Sequence, residues 1–275
     1  MAQALLLLVC ALLAAGEVED ATYAAHLAEL TKRHDLTGFH HERSGAFVIH
    51  SDDADAVRRA RHAETVSWFA TAMRRMYFER DPDGLTDIWL FKGKASYETT
   101  GTAFFGRGPD SPYGYFSPRH GLVMNIATGG GTLCHELVHA YMRANFQKCP
   151  DWLNEGLASL YEQCGQRGDL ATGLINWRLK GLQEAIAGRT LPTFESLCVA
   201  DFYGANSGRN YAQARYLCMH LQETGKLAQL MQEAMRDQAA DPTAWKTLVS
   251  VLGESDMAAW QQRWEQWVMA LKPPR

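Results

Sequence analysis

Thr132-Leu133-Cys134-His135-Glu136-Leu137-Val138-His139-Ala140, taken together with Trp152-Leu153-Asn154-Glu155-Gly156-Leu157-Ala158, is the stretch that decides how this chain is read. On a helix, His135 and His139 stand four residues apart. Both imidazoles then leave one face, a turn apart, and can fill two corners of a tetrahedral metal site. A catalytic zinc takes three protein ligands and keeps one position open, which makes Glu155 the candidate third ligand. Glu136, beside the histidines, is placed as a general base toward water. The set reads as a hydrolytic site for one zinc ion.

The flanking residues agree with two helices. Gly129-Gly130-Gly131 breaks the preceding segment, Thr132 can cap, and Leu133, Leu137 and Val138 give the next turns a buried side. After Pro150, Asp151 is a candidate cap, and Leu153, Leu157, Leu160 and Tyr161 recur at helical spacing. Glu155, Ser159 and Glu162 share one face of that second helix.

This pair of motifs resembles the glutamate-liganded zinc peptidases, the gluzincins of the thermolysin and aminopeptidase N type. The resemblance extends over residues 45–270 and is motif-specific over 112–162. It implies a zincin-like α+β fold: a small mixed sheet and the active-site helix in an N-terminal lobe (about 17–145), and an all-helical C-terminal lobe (about 146–275). It implies Glu155 as third ligand from the following helix, and Glu162 as a carboxylate that hydrogen-bonds a zinc-bound histidine. It also implies a sheet edge against which a peptide or protein substrate lies, and a tyrosine or histidine of the second lobe that stabilises the oxyanion. Tyr211 is the candidate for that donor, on a helix face shared with Ala214, Cys218 and Leu221; the default reading of such a residue is a core tyrosine, and Tyr216 and His220 are weaker contenders. The acidic Gly-x-Met-x-Asn run by which aminopeptidase N relatives hold a substrate amine does not occur, since Met124-Asn125 is followed by Ile126. An endopeptidase or an uncharacterised relative is therefore preferred to an aminopeptidase. Two other readings share the same residues: a zinc-binding regulatory module with little turnover, and a hydrolase of a non-peptide bond.

Composition narrows the class. The 275 residues are 47% apolar and 21% charged, enough for one sizeable core, with a net charge of −4 and no basic run. That excludes a nucleic-acid partner, which requires clustered Lys and Arg. Residues 2–16 carry no charge and end in Ala14-Ala15-Gly16. They resemble a secretory signal, with an apolar core too short to span a bilayer, and read alternatively as a buried N-terminal helix. A signal at 1–16 implies a secreted or periplasmic protein with no stable membrane span in the mature chain, and its absence a cytoplasmic one. Cys134, Cys149, Cys164, Cys198 and Cys218 remain beyond it, an odd number that leaves at least one thiol free.

Elsewhere the pattern predicts a helical lead at 19–34, a strand at 45–50, a helix from about Asp55 to Phe78, a strand at 87–91, and a hairpin of 113–117 with 122–125. Gly114 in that hairpin is a candidate for close approach of a substrate backbone, or a plain sheet glycine. Leu170 to Ile186 reads as an amphipathic helix, 192–203 as a short helix and loop, and 209–223, 226–237, 243–252 and 256–270 as helices. Trp260, Trp264 and Trp267 read as core. His26, His34, His40, His41, His50 and His62 lack partners at ligand spacing, and His120 falls in the hairpin turn.

Overall fold

Short apolar runs buried on both faces organise the first half of the chain into a mixed sheet. The computed structural model describes residues 20–109 and 111–272; the segment 1–16 read as a signal lies outside the described residues. After a helix over 20–31 (α1), strands β1 (His40–Ser44), β2 (Phe47–Ser51), β3 (Thr86–Phe91), β4 (Gly114–Ser117) and β5 (Gly121–Asn125) form one sheet in the order β1-β2-β3-β5-β4. The β2–β3 and β3–β5 pairings are parallel, and both edge strands run antiparallel to their neighbours. β1 is absent from the sequence reading, which begins its strand at Gly45. The structure turns there instead: Ser44 pairs with Phe47, and Gly45 takes φ 61 as the first residue of a two-residue turn.

Helix α2 (Ala56–Met76) starts where Asp55 accepts hydrogen bonds from the Val57 and Arg58 amides, and it buries Val66, Phe69 and Met73. Its neighbours Ile49, Ile88, Leu90, Leu122 and Met124 belong to the same cluster, on one face of the sheet. The other face carries Trp89, Phe91 and Val123, covered by Leu27 and Leu30 of α1 and by Tyr97 of α3 (Lys94–Phe105). The sequence shows α3 only as a short segment, because Thr99-Thr100-Gly101 are weak helix formers that packing overrides.

Beyond β5 come α4 (Gly131–Asn145) and α5 (Asp151–Leu160). Neither is capped as the sequence suggests. Gly130 and Pro150 occupy the cap positions without a side-chain bond, and Thr132 and Asp151 lie inside the first turns. The expected all-helical second lobe is corrected by a hairpin, β6 (Cys164–Arg167) with β7 (Leu170–Gly173), where a helix was read from Leu170. Gly168 at φ 60 makes the turn, and a Cβ on Gly173 would fall 2.3 Å from Leu160 Cδ1. The Gln222 amide fastens β7 by pairing with the Gly173 amide at 2.8 Å and its carbonyl at 3.1 Å. Helicity resumes at α6 (Arg178–Ala187), the second half of the span read as helix from Leu170, followed by α7 (Phe194–Val199), and then by α8 (Ser207–Glu223), α9 (Leu227–Asp237), α10 (Trp245–Leu252) and α11 (Met257–Ala270), these four close to the predicted spans. Trp260 and Trp264 are buried as read, with Trp267 packed partly against them.

One hydrophobic cluster runs from Phe47 to Val268, so the division near residue 145 is not a break in the core. The five cysteines among the described residues are free thiols. No described helix is long and apolar enough to cross a membrane.

Candidate metal centre

Two glycines let the helices of the site approach. A Cβ on Gly131 would lie 2.1 Å from the Glu162 carbonyl oxygen, so the first turn of α4 presses on the backbone just beyond α5. A Cβ on Gly156 would lie 3.0 Å from both the Ala214 carbonyl oxygen and Cys218 Sγ, which sets α5 directly against α8. α4 thereby faces α5, and Tyr211 of α8 reaches the same space.

The three expected ligands converge. His135 Nε2 and His139 Nε2 are 3.1 Å apart, and Glu155 Oε2 stands 3.4 Å from the first and 3.7 Å from the second. Ligand atoms held at zinc distances in a tetrahedron are about 3.3 Å apart, so this triangle fits a zinc ion. Glu155 Oε2 is buried and has no hydrogen-bond partner. A buried carboxylate oxygen without a donor is costly, and an ion between it and two imidazole nitrogens would remove that cost.

Further residues orient these ligands. Asn154 Oδ1 lies 3.0 Å from His139 Nδ1. An amide oxygen only accepts, so Nδ1 carries the proton and the Nε2 lone pair is left for a metal. The Tyr203 hydroxyl donates to Glu155 Oε1 at 2.8 Å. Glu162 departs from its expected role. Its Oε1 lies 3.6 Å from His135 Nδ1, within ion-pair range but too far for a hydrogen bond. Arg178 takes that carboxylate in a two-pronged bond of 2.8 and 2.7 Å, and the Asn176 amide adds a third at 3.2 Å. The Arg178 guanidinium in turn lies over the Trp177 ring at 4.2 Å and the Tyr211 ring at 5.0 Å.

The carboxylates set the charge of the site. Burial disfavours a charged His135, but the adjoining Glu155 carboxylate at 3.4 Å and the charges of Glu136 and Glu162 outweigh it and lift the imidazole to about 9. Burial would likewise raise Glu155, yet the two histidines and the Tyr203 hydroxyl hold it down to about 2. Burial and the nearby Glu155 carboxylate push the Tyr203 and Tyr211 phenols well above the usual tyrosine range, keeping both protonated.

His135, His139 and Glu155 line a cleft of about 990 Å³, with Glu136, Tyr211, Arg178 and the strand residues Gly114, Tyr115 and Phe116 on its walls. Glu136 is 6% exposed, on the turn that carries His135. The contenders Tyr216 and His220 lie elsewhere. Tyr216 is buried, accepting from the Asn176 amide at 3.2 Å, and His220 packs on Trp260 and Trp267. His120 rests on Phe105, with 4.7 Å between ring centroids, outside the cleft. Gly114 answers to packing: an added Cβ would strike Met124 Sδ at 2.6 Å. Cys134 is buried and is not among the converging ligands. Tyr203, Asn154, Asn176 and Arg178 escaped the sequence reading. Asn154 alone gave a signal, its place one residue before Glu155.

No protein-family model matches the chain, and no curated protein matches it either.

Proposed function

We propose that the protein is a zinc-dependent hydrolase, a metallopeptidase of gluzincin type with a zincin-like fold, acting on peptide or protein substrates. One observation carries the reading. The unpartnered, buried Glu155 Oε2 lies 3.4 and 3.7 Å from the His135 and His139 Nε2 atoms, and Glu136 lines the same cleft. A zinc ion held by these three residues supplies Lewis acidity, acidifying water and polarising a substrate carbonyl.

The remaining work falls to the chain. Glu136 accepts the proton of the attacking water and passes it to the leaving amine. Tyr211, kept protonated by burial and the Glu155 charge, donates to the oxyanion that develops on the carbonyl. β4 is an edge strand bordering the cleft, so an extended substrate can lie along it through backbone hydrogen bonds that read no particular sequence.

The deciding experiment compares wild type with Glu136→Gln for zinc content and for cleavage of a peptide library. Both proteins should hold zinc at His135, His139 and Glu155, and the variant should cleave roughly 10²- to 10⁴-fold more slowly. Equal cleavage by the two proteins, or no zinc in either, sinks the reading.

A further inference from the structure

On the far face of the sheet from α4, histidines that looked solitary in sequence meet one carboxylate. Side chains alternate along a strand, so Asp87, Trp89 and Phe91 share the face covered by α1. His50 of β2 stands opposite Trp89 in register and stacks on it, with 4.2 Å between ring centroids. α1 brings His26 down from above. His26 Nε2 is 2.6 Å and His50 Nε2 is 2.9 Å from the same oxygen, Asp87 Oδ1. His41 of β1 completes the line, its Nδ1 2.8 Å from His50 Nδ1. His50 is fully buried, while the side chains of His26 and Asp87 are 23% and 16% exposed. Two groups among the described residues bring three His or carboxylate ligand atoms within 4.8 Å of one another: the cleft triad, and this one.

We propose that His26 Nε2, His50 Nε2 and Asp87 Oδ1 form a second site for a divalent transition metal, a structural one that clamps α1 to the sheet. Two imidazoles and one carboxylate are the donors that zinc and its neighbours select, whereas calcium and magnesium take oxygen alone. The ligands come from three separate elements, α1, β2 and β3, so one ion cross-links a terminal helix to two central strands. His41 makes the tautomer reversible. Two facing Nδ1 atoms require one donor and one acceptor: without an ion His50 Nε2 donates to Asp87 and its Nδ1 accepts from His41, and reversing that one pair frees the Nε2 lone pair for a metal. The ion then replaces the two N–H protons that would otherwise bridge to Asp87 Oδ1. The nitrogen–oxygen separations must open from hydrogen-bond length to about 3.3 Å. His26 and Asp87 are both partly exposed, and His26 comes from the covering helix rather than from the sheet.

The test removes the cleft site first. A His135→Ala/His139→Ala chain is titrated with zinc by calorimetry and melted with and without the ion. It should bind one equivalent, and its Tm should rise by several degrees. Adding His26→Ala, at a partly exposed position on the covering helix, should weaken that binding at least 100-fold and leave Tm insensitive to zinc; Asp87→Asn should do the same. If the double variant binds no zinc, or if its binding and its Tm response survive His26→Ala, the three groups form a hydrogen-bonded network only and the second site is refuted. The cleft reading stands or falls separately, on whether the His135→Ala/His139→Ala change itself removes a zinc equivalent from the wild-type chain.

Discussion

The Tyr203 hydroxyl anchors one oxygen of Glu155 at 2.8 Å and leaves the other, buried and unpartnered, facing His135 and His139. The phenol thus fixes the carboxylate's rotation, so that Oε2 is presented without any side-chain reorganisation. Tyr203→Phe should lower zinc affinity about 10- to 100-fold, as removal of an outer partner typically does. Competition with a chelating dye measures this. Unchanged affinity would mean that Glu155 is held by the packing of α5 alone.

Tyr211 approaches the same carboxylate from α8, and the two tyrosines separate by what they affect. Tyr211→Phe should keep wild-type zinc affinity and lose roughly 10²-fold or more in kcat with little change in KM, the pattern of a donor used only in the transition state. Steady-state kinetics on a cleaved peptide, beside a zinc titration of the same variant, checks both halves. A loss of metal without a loss in kcat would reverse the two roles.

What the sequence revealed of this site, and what it hid, follows from the range of each interaction. His135 and His139 are related by one helical turn, so their spacing alone places them together. Glu155 sits on the next helix, one short connection away, and its motif was enough to place it beside them. Tyr203 and Arg178 reach the site from a loop and from the start of α6, positions that depend on the β6-β7 hairpin. In sequence that hairpin looks helical, because the apolar residues between Leu170 and Ile186 also match a helical period and the only left-handed residue in its turn is Gly168. The His26–Asp87–His50 cluster was hidden for the same reason. Its members lie on three elements whose adjacency is fixed only by a parallel sheet and a helix laid across it. The later helices, each bounded by Gly or Asp-Pro signals and carrying their own apolar stripe, were legible nearly to the residue.

Proton and metal compete for His135. In the metal-free fold its pKa is raised from the ordinary 6.5 to about 9, so near neutral pH the imidazole is charged and must release its proton to become a ligand. Calorimetric zinc titrations at pH 7.5, in buffers of different ionisation enthalpy, should report release of about one proton per ion bound. The stability consequence has a definite sign. A raised pKa stabilises the metal-free fold fully below 6.5, and this contribution fades as pH rises toward 9. Glu155, held down to about 2, contributes above its ordinary 4.5 and is lost only as pH falls toward 2. Tm of chelator-treated protein should therefore decline from pH 6.5 to 9, and His135→Ala should abolish that part of the decline. A flat profile for chelated wild type would contradict the raised pKa.

Gly131 offers a test of how far the site depends on backbone approach. A methyl group there would sit 2.1 Å from the Glu162 carbonyl oxygen, and neither partner is a flexible side chain that can swing aside. Gly131→Ala should push α4 away from residue 162, cost about 1–3 kcal/mol of stability as overpacking does, and weaken zinc binding because His135 moves with the helix. Gly130→Ala is the matched control. It lies one residue earlier, with φ −75 and nothing within 4 Å of its added Cβ, so the same chemical change should leave both Tm and zinc affinity at wild-type values. If the two variants behave alike, the contact between α4 and the Glu162 carbonyl does not hold the metal centre in register.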